Sequence, residues 1–158
     1  MPRIAPGTRF PEAALPDVDG HTAPLAGAWA KGPALVVLGH GDCKTTRQTL
    51  PYVDRIHRRR GASATALAVL QDDPETARGL IAELGLALPV RLEPEPYPLT
   101  EALGLTAVPT LLLVDSSGNV GQVVEAFSRA GLESLAAALG VPGPLFDPGD
   151  SSPAMRPG

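Results

Sequence analysis

The single cysteine of this chain, Cys43, is the residue with the most specific chemistry. A thiolate is the nucleophile in thiol–disulfide exchange, which proceeds through a mixed disulfide that a second thiol normally clears. One helical turn further along the chain stands Thr46, so no second thiol lies within reach of the first. Cys43 could therefore start an exchange reaction, whereas another molecule would have to complete it.

The structure predicted around Cys43 favours its thiolate. Residues 34–38 form a continuous apolar run that predicts a buried strand, and residues 42–60 predict the helix that follows it. A cysteine at the start of that helix meets the positive end of the helix dipole and unpaired backbone N–H groups. Thr46 could add a hydrogen bond by donating its hydroxyl to the sulfur.

Charged neighbours of Cys43 would shift the pKa of its thiol in opposite directions. His40, Lys44 and Arg47 would add positive charge near the sulfur, which favours the thiolate. Asp42 opposes them, because a neighbouring carboxylate raises the pKa of a thiol. The sequence leaves the net direction of the shift open.

The elements that must position these residues alternate between strands and helices. Beyond the strand and helix around Cys43, the predicted elements are a hairpin over 13–25, strands over 64–70, 110–114 and 120–126, helices over 74–84 and 129–139, a short extended segment over 89–92 and a helical turn over 99–103. This alternation predicts a parallel sheet, to which the turn at 116–119 adds an antiparallel edge strand. The expected architecture is α/β, a three-layer α/β/α sandwich with its site at the carboxyl end of the first core strand.

The chain divides into three parts by composition. Residues 1–12 are rich in proline and form an N-terminal extension, and residues 13–140 form the domain itself. Residues 141–158 combine five prolines with glycine, serine and aspartate, so we expect a flexible or loosely docked tail with little to bury.

Four motifs resemble a known superfamily by their order and spacing. They are Cys43-x-x-Thr46-Arg47-x-x-x-Pro51 and the stretches 68–75, 105–110 and 111–120. Over roughly residues 8–140 the chain resembles the thioredoxin superfamily, in the branch of TlpA-like thiol–disulfide oxidoreductases and AhpC/TSA-type redoxins. The resemblance implies a thioredoxin-like fold with an N-terminal β-hairpin extension.

The resemblance also assigns a substrate site. It implies that Pro109 is a cis-proline facing Cys43, and that the backbone of Val108 pairs with an incoming peptide or with glutathione. Three positions depart from the family pattern: Asp42 replaces a tryptophan, Thr46 replaces the second cysteine, and Val37 replaces a buried acid. These departures put dithiol reductase activity in doubt.

Cys-x-x-Thr also resembles the site of the glutathione peroxidases, which keeps a peroxide reaction open. A peroxide would oxidise the thiolate to sulfenic acid, and an external thiol would reduce it. Gln71 is the one candidate partner for such a site. Typical peroxiredoxins instead carry threonine and proline where this chain has His40 and Val36.

Three functional hypotheses follow. The first is a monothiol thiol–disulfide oxidoreductase that acts through Cys43 and Thr46 on a protein or glutathione substrate, with an external resolving thiol. The second is a catalytically silent thioredoxin-like binding or scaffold module. The third is a one-cysteine peroxidase.

Composition and charge indicate which binding partners and which cellular compartment to expect. The net charge of −4 and a pI near 5.3 give no reason to expect nucleic acid or an anionic membrane as a partner. No pattern indicates a cofactor or a metal, because His40-x-x-Cys43 supplies only two ligands. The N-terminus lacks the apolar segment of a signal peptide, and a single cysteine fits a reducing compartment, so we expect a cytoplasmic protein.

Overall fold

A five-stranded sheet forms the centre of the protein in the computed structural model, which describes residues 4–158. The first three residues of the predicted N-terminal extension lie outside the described residues. The strands are β1 (Ala14–Pro16), β2 (Thr22–Pro24), β3 (Ala34–Gly39), β4 (Thr65–Leu70), β5 (Val90–Leu92), β6 (Thr110–Val114), β7 (Val120–Glu125), β8 (Phe127–Ser128) and β9 (Met155–Arg156). The helices are α1 (Lys44–Arg59), α2 (Pro74–Leu84), α3 (Pro98–Leu103) and α4 (Arg129–Ala138), with a short 3₁₀ helix over Leu25–Trp29.

The strand order in the central sheet is β5-β4-β3-β6-β7, and its polarity corrects one prediction. β3, β4 and β5 are parallel to one another, but β6 runs antiparallel to β3 as well as to β7. The reason is the connection between β5 and β6, which contains only the six-residue α3. This short connection does not return the chain to the opposite end of the sheet. β6 therefore starts at the end of the sheet where β5 finishes, and it runs in the opposite direction.

Two apolar cores cover the two faces of this sheet, which confirms the predicted three-layer α/β/α architecture. Alternate residues of β3 point to opposite faces, as a strand buried on both sides requires. Leu35 and Val37 pack in the core beneath α1, α2 and α4. Val36 and Leu38 pack in the other core, together with α3, the N-terminal hairpin and the 3₁₀ helix.

Local signals in the sequence set the ends of α2. The side chain of Asp73 accepts the backbone N–H of Thr76 at 2.7 Å, and Pro74 occupies the first helical position. Gly85 ends the helix in the left-handed conformation, at a φ of 63°. The predicted and observed bounds of this helix are the same.

Residues 141–158 lie against α1 and α4, although their composition suggested a flexible or loosely docked tail. Leu145 is fully buried and belongs to the main core, and Phe146 packs on Tyr52 with ring centroids 4.4 Å apart. At the end of the segment, β9 pairs with β8. Among residues 4–158, no helix is both long and apolar enough to cross a membrane.

Candidate active site

Cys43 lies at the junction of β3 and α1, as the N-cap residue of the helix. Its sulfur accepts the backbone N–H of Thr46 at 3.5 Å, the interaction by which an N-cap side chain satisfies a free helical donor. On its other side, the thiol donates to the backbone carbonyl of Val108 at 3.7 Å. Cys43 is half-buried, and these two contacts hold its sulfur in place.

The pKa of the Cys43 thiol is lowered below its ordinary value. Partial burial by itself raises this pKa, but the nearby hydroxyl of Thr46 and the backbone N–H groups of Thr46 and Thr45 lower it. The positive charge of Arg156 lowers it further. The site therefore favours the thiolate, which is the reactive form of cysteine.

The hydroxyl of Thr46 is available to the thiolate. Thr46 is fully buried, and its Oγ1 has no conventional hydrogen-bond partner among the described residues. Its place is set by Gly39, the last residue of β3, where an added Cβ would come within 2.7 Å of the Thr46 side chain. The glycine thus permits the close approach of strand and helix that brings Thr46 beside Cys43.

The loop before β6 faces the thiol. Val108 and Pro109 precede the first residue of β6, and the peptide bond between them is cis. The carbonyl of Pro109 accepts the N–H of Ala126 at 2.7 Å, which attaches this loop to the end of β7. Because β6 is antiparallel to β3, the first residue of β6 lies at the same end of the sheet as the last residue of β3. This polarity brings Val108 to Cys43.

Among the charged residues predicted to lie near Cys43, Arg47 pairs with residues other than the cysteine. Arg47 forms an ion pair with Glu83 of α2, and its guanidinium also donates to the carbonyl of Gly41 at 3.3 Å. His40 is half-buried, and its carbonyl accepts the Cys43 N–H at 3.2 Å, whereas Asp42 is exposed. Arg47 thereby joins α1 to α2 and to the loop that precedes α1.

Gln71 belongs to a separate polar network. Its side-chain amide donates to the hydroxyl of Thr100 at 2.8 Å, and that hydroxyl donates to the buried carboxylate of Glu93 at 2.5 Å. No hydrogen bond between Gln71 and Cys43 occurs within residues 4–158. The residue from the same loop that does reach the site is Asp72, whose carboxylate accepts the N–H of Gly41 at 2.9 Å.

Sequence reasoning missed the contribution of the last residues to the site. The hydroxyl of Thr45 donates to the carbonyl of Pro157 at 2.5 Å, and Arg156 donates to the side chain of Gln48 at 2.9 Å. Gly158 lies so close to Val108 that an added Cβ would collide with its carbonyl oxygen. The apolar pair Leu145-Phe146 was the available signal that this Pro- and Gly-rich segment docks.

One group of possible metal ligands occurs in the described part of the chain, away from Cys43. Asp17, Asp19 and His21 lie in the turn between β1 and β2. Their geometry serves the turn, because Asp17 accepts the backbone N–H groups of Asp19 and His21, while Asp19 pairs with Arg78. This cluster gives no reason to assign a metal.

Comparison with solved structures identifies the architecture. A candidate thiol:disulfide interchange protein DsbE from Chlorobium tepidum superposes with a TM-score of 0.76 at 24% identity, covering 87% of this chain and 99% of that chain. The thioredoxin domain of a thiol-disulfide oxidoreductase from Bacteroides vulgatus superposes with a TM-score of 0.74 at 19% identity, covering 85% and 96%. The fold is thioredoxin-like.

A third similar structure is a secreted disulfide oxidoreductase from Mycobacterium tuberculosis, which superposes with a TM-score of 0.69. The two sequences are 14% identical, and the superposition covers 80% of this chain and 96% of that chain. Neither a protein-family model nor a curated protein matches the sequence. At these identities the likeness establishes the fold, and the predicted thioredoxin-like architecture is confirmed.

Proposed function

We propose that this protein is a monothiol thiol–disulfide oxidoreductase in which Cys43 is the nucleophile and an external thiol completes each cycle. The observation that carries the proposal is the environment of the sulfur. Cys43 caps α1, receives the Thr46 N–H, and has a pKa below the ordinary value for cysteine. The solved structures with the same fold include thiol-disulfide oxidoreductases.

The reaction has two exchange steps. The Cys43 thiolate attacks one sulfur of a substrate disulfide, forms a mixed disulfide with it, and releases the other sulfur as a thiolate. An external thiolate then attacks the substrate-derived sulfur, which forms a new disulfide and returns Cys43 as a thiolate. In the net reaction, one substrate sulfur is released as a reduced thiolate, the external sulfur is oxidised as it joins the other substrate sulfur in a disulfide, and the protein is unchanged.

Residues of this chain supply the positioning in both steps. The hydroxyl and N–H of Thr46 stabilise the sulfur when it carries negative charge, as attacking or leaving group. The loop at Val108–Pro109 provides the surface beside the sulfur on which a substrate would lie. The absence of a second cysteine from the sequence requires the external thiol, and we propose that the protein works in a reducing compartment, where such thiols are abundant.

The test is to expose the reduced protein to glutathione disulfide and to hydrogen peroxide, and to follow Cys43 by intact-mass spectrometry. The proposal expects a single glutathionyl adduct that free glutathione removes, and no adduct on Cys43→Ser. Rapid sulfenic acid formation with slow glutathionylation would identify a one-cysteine peroxidase instead. An unreactive Cys43 in both assays would identify a silent binding module.

A further inference from the structure

The last six residues of the chain lie across the candidate active site. We call residues 153–158 the strap, and residues 141–152 the anchor. The strap begins beside β8, where the N–H of Arg129 donates to the carbonyl of Ala154 at 2.9 Å and β9 pairs with β8. It then crosses the first turn of α1, where Pro157 accepts the hydroxyl of Thr45.

The far end of the strap occupies the surface beside the thiol. Gly158 packs against the backbone of Val108, whose carbonyl also accepts the Cys43 thiol. The carbonyl of Pro157 accepts the hydroxyl of Thr45, which is two residues from Cys43 in the sequence. The strap pairs strand-wise with β8 through Met155 and Arg156, and its last residue lies against the backbone of Val108, so it occupies surface beside the thiol that a substrate would need.

The anchor is held much more firmly than the strap. Leu145 is fully buried, the Glu133 carboxylate accepts its N–H at 2.6 Å, and Arg55 binds Asp150 at 2.7 and 3.4 Å. Tyr52 and Ser152 share a hydrogen bond of 2.5 Å at the end of the anchor. These contacts fix the position from which the strap starts.

The strap itself buries little. All of its side chains are exposed except the half-buried Arg156, and Met155 is 76% exposed. A segment that is attached by a few hydrogen bonds and exposes nearly all of its side chains opens at low free-energy cost, without unfolding the domain. The anchor therefore acts as the fixed end and the strap as the part that can leave.

We propose that the strap is an intramolecular gate that excludes bulky disulfide substrates from Cys43 until it leaves the surface of Val108. The inference rests on the proposed function, because it assigns a regulatory role at the same thiol. A protein substrate competes with the strap for the Val108 surface, so its apparent affinity is reduced by the fraction of molecules in which the strap is open. A small thiol reagent needs less of that surface and is affected less.

The strap also activates the thiol that it covers. Arg156 holds its guanidinium near Cys43 through the hydrogen bond to Gln48, and its charge lowers the pKa of the thiol. Release of the strap therefore exposes the sulfur and withdraws a charge that stabilises the thiolate. The two effects act oppositely on reactivity at neutral pH, and an experiment must separate them.

The test compares the unsubstituted protein with the variants Gly158→Ala and Gly158→Ala/Arg156→Gln, using alkylation of Cys43 by iodoacetamide and by a polyethylene glycol maleimide. The added Cβ at residue 158 collides with the Val108 carbonyl, whereas Gly149→Ala in the anchor is the matched control, since its added Cβ meets nothing within 4 Å. Rates are measured at a pH where Cys43 is fully ionised in every variant, so that the charge of Arg156 does not affect them.

If the strap is a gate, Gly158→Ala should raise the rate of alkylation by the bulky maleimide roughly five-fold, and the double variant should raise that rate further. The rate of alkylation by iodoacetamide should change less than about two-fold in both variants. Gly149→Ala should match the unsubstituted protein. Equal maleimide rates in all four proteins, or an equal rise in Gly149→Ala, would overturn the gate. Alkylation needs no disulfide substrate. A Cys43 that fails to accept glutathione would therefore refute the proposed function, while the alkylation rates would still show whether the strap limits access to the thiol.

Discussion

At the scale of single residues, the site is defined by how one sulfur is surrounded. Cys43 receives a backbone N–H at the start of α1 and lies beside the hydroxyl of Thr46, which has no conventional partner of its own in the described structure. Burial of the sulfur opposes ionisation, but the hydrogen bonds and the charge of Arg156 outweigh it. The thiolate is therefore favoured without a second cysteine.

Replacing the Thr46 hydroxyl should make Cys43 less acidic. Thr46→Val keeps the shape of the side chain and removes the donor, so we expect the pKa of the thiol to rise and the alkylation rate at neutral pH to fall roughly three- to ten-fold. The measurement is the rate of iodoacetamide alkylation as a function of pH.

Thr49→Val is the matched control for this substitution. Thr49 is also fully buried in α1, but its hydroxyl donates to the carbonyl of Thr45 at 2.8 Å. This variant should leave the titration of Cys43 unchanged. Equal shifts in the two variants would mean that the effect comes from helix packing and not from the Thr46 hydroxyl.

At the scale of elements, α1 carries the thiol and must be held firmly against the rest of the domain. Asp54, only 5% exposed, connects the middle of this helix to the loop before β5. Its carboxylate accepts the N–H groups of Ala87 and Leu88 at 2.7 and 2.8 Å, and it pairs with Arg58 at 2.7 Å. A buried carboxylate with these partners is costly to disrupt, because the two N–H groups would lose their acceptor.

Substitution of Asp54 should destabilise the protein in a pH-dependent way. We expect Asp54→Ala to lower the free energy of unfolding by about 2–4 kcal/mol at neutral pH, and Asp54→Asn to lower it less, because the amide oxygen still accepts the N–H groups. Urea unfolding measured by circular dichroism reports both values.

The pKa of Asp54 gives the direction of the pH effect. Burial raises this pKa, but hydrogen bonds from Arg58, Leu88 and Ala87 lower it below the ordinary value of 3.8. The carboxylate therefore stabilises the fold fully above the ordinary value and loses this contribution as pH falls through the folded-state pKa. The stability difference between the unsubstituted protein and Asp54→Asn should shrink in acid, and a difference that stays constant down to that range would contradict this assignment.

At the scale of the whole molecule, residues 141–158 pack against α1 and return the chain to the candidate active site. The anchor completes the main core through Leu145 and Val141, and the strap returns the chain to Cys43. A segment that reads as a polar tail thus contributes to the core and to the site. The apolar side chains that make this possible are few and are separated by prolines.

Leu145→Ala should reveal the contribution of the anchor to stability. Because Leu145 is fully buried, we expect a loss of about 2–5 kcal/mol in the free energy of unfolding. Met155→Ala in the strap should change it by less than about 0.5 kcal/mol, since Met155 is 76% exposed. Chemical denaturation of both variants makes the comparison, and a Leu145→Ala protein as stable as Met155→Ala would show that the anchor is not part of the cooperative fold.

The sequence predicted the features that depend on neighbouring residues. A single apolar run specified β3, and Asp73, Pro74 and Gly85 specified the bounds of α2, because strand burial and helix capping are local signals. The polarity of β6 was predicted wrongly, because the direction of a strand depends on the path of the whole connection from β5.

By itself, the sequence determined that this protein has one thiol, at the start of a helix, with a threonine one turn away. The resemblance implied that Val108 and Pro109 face that thiol, and the tertiary structure decided how they reach it and what else surrounds it. Val108 reaches it because β6 is antiparallel, and Arg156 and Gly158 reach it because the anchor directs the strap across α1. These contacts join residues that are far apart in the sequence, and a local pattern of side chains does not specify which distant residues come into contact.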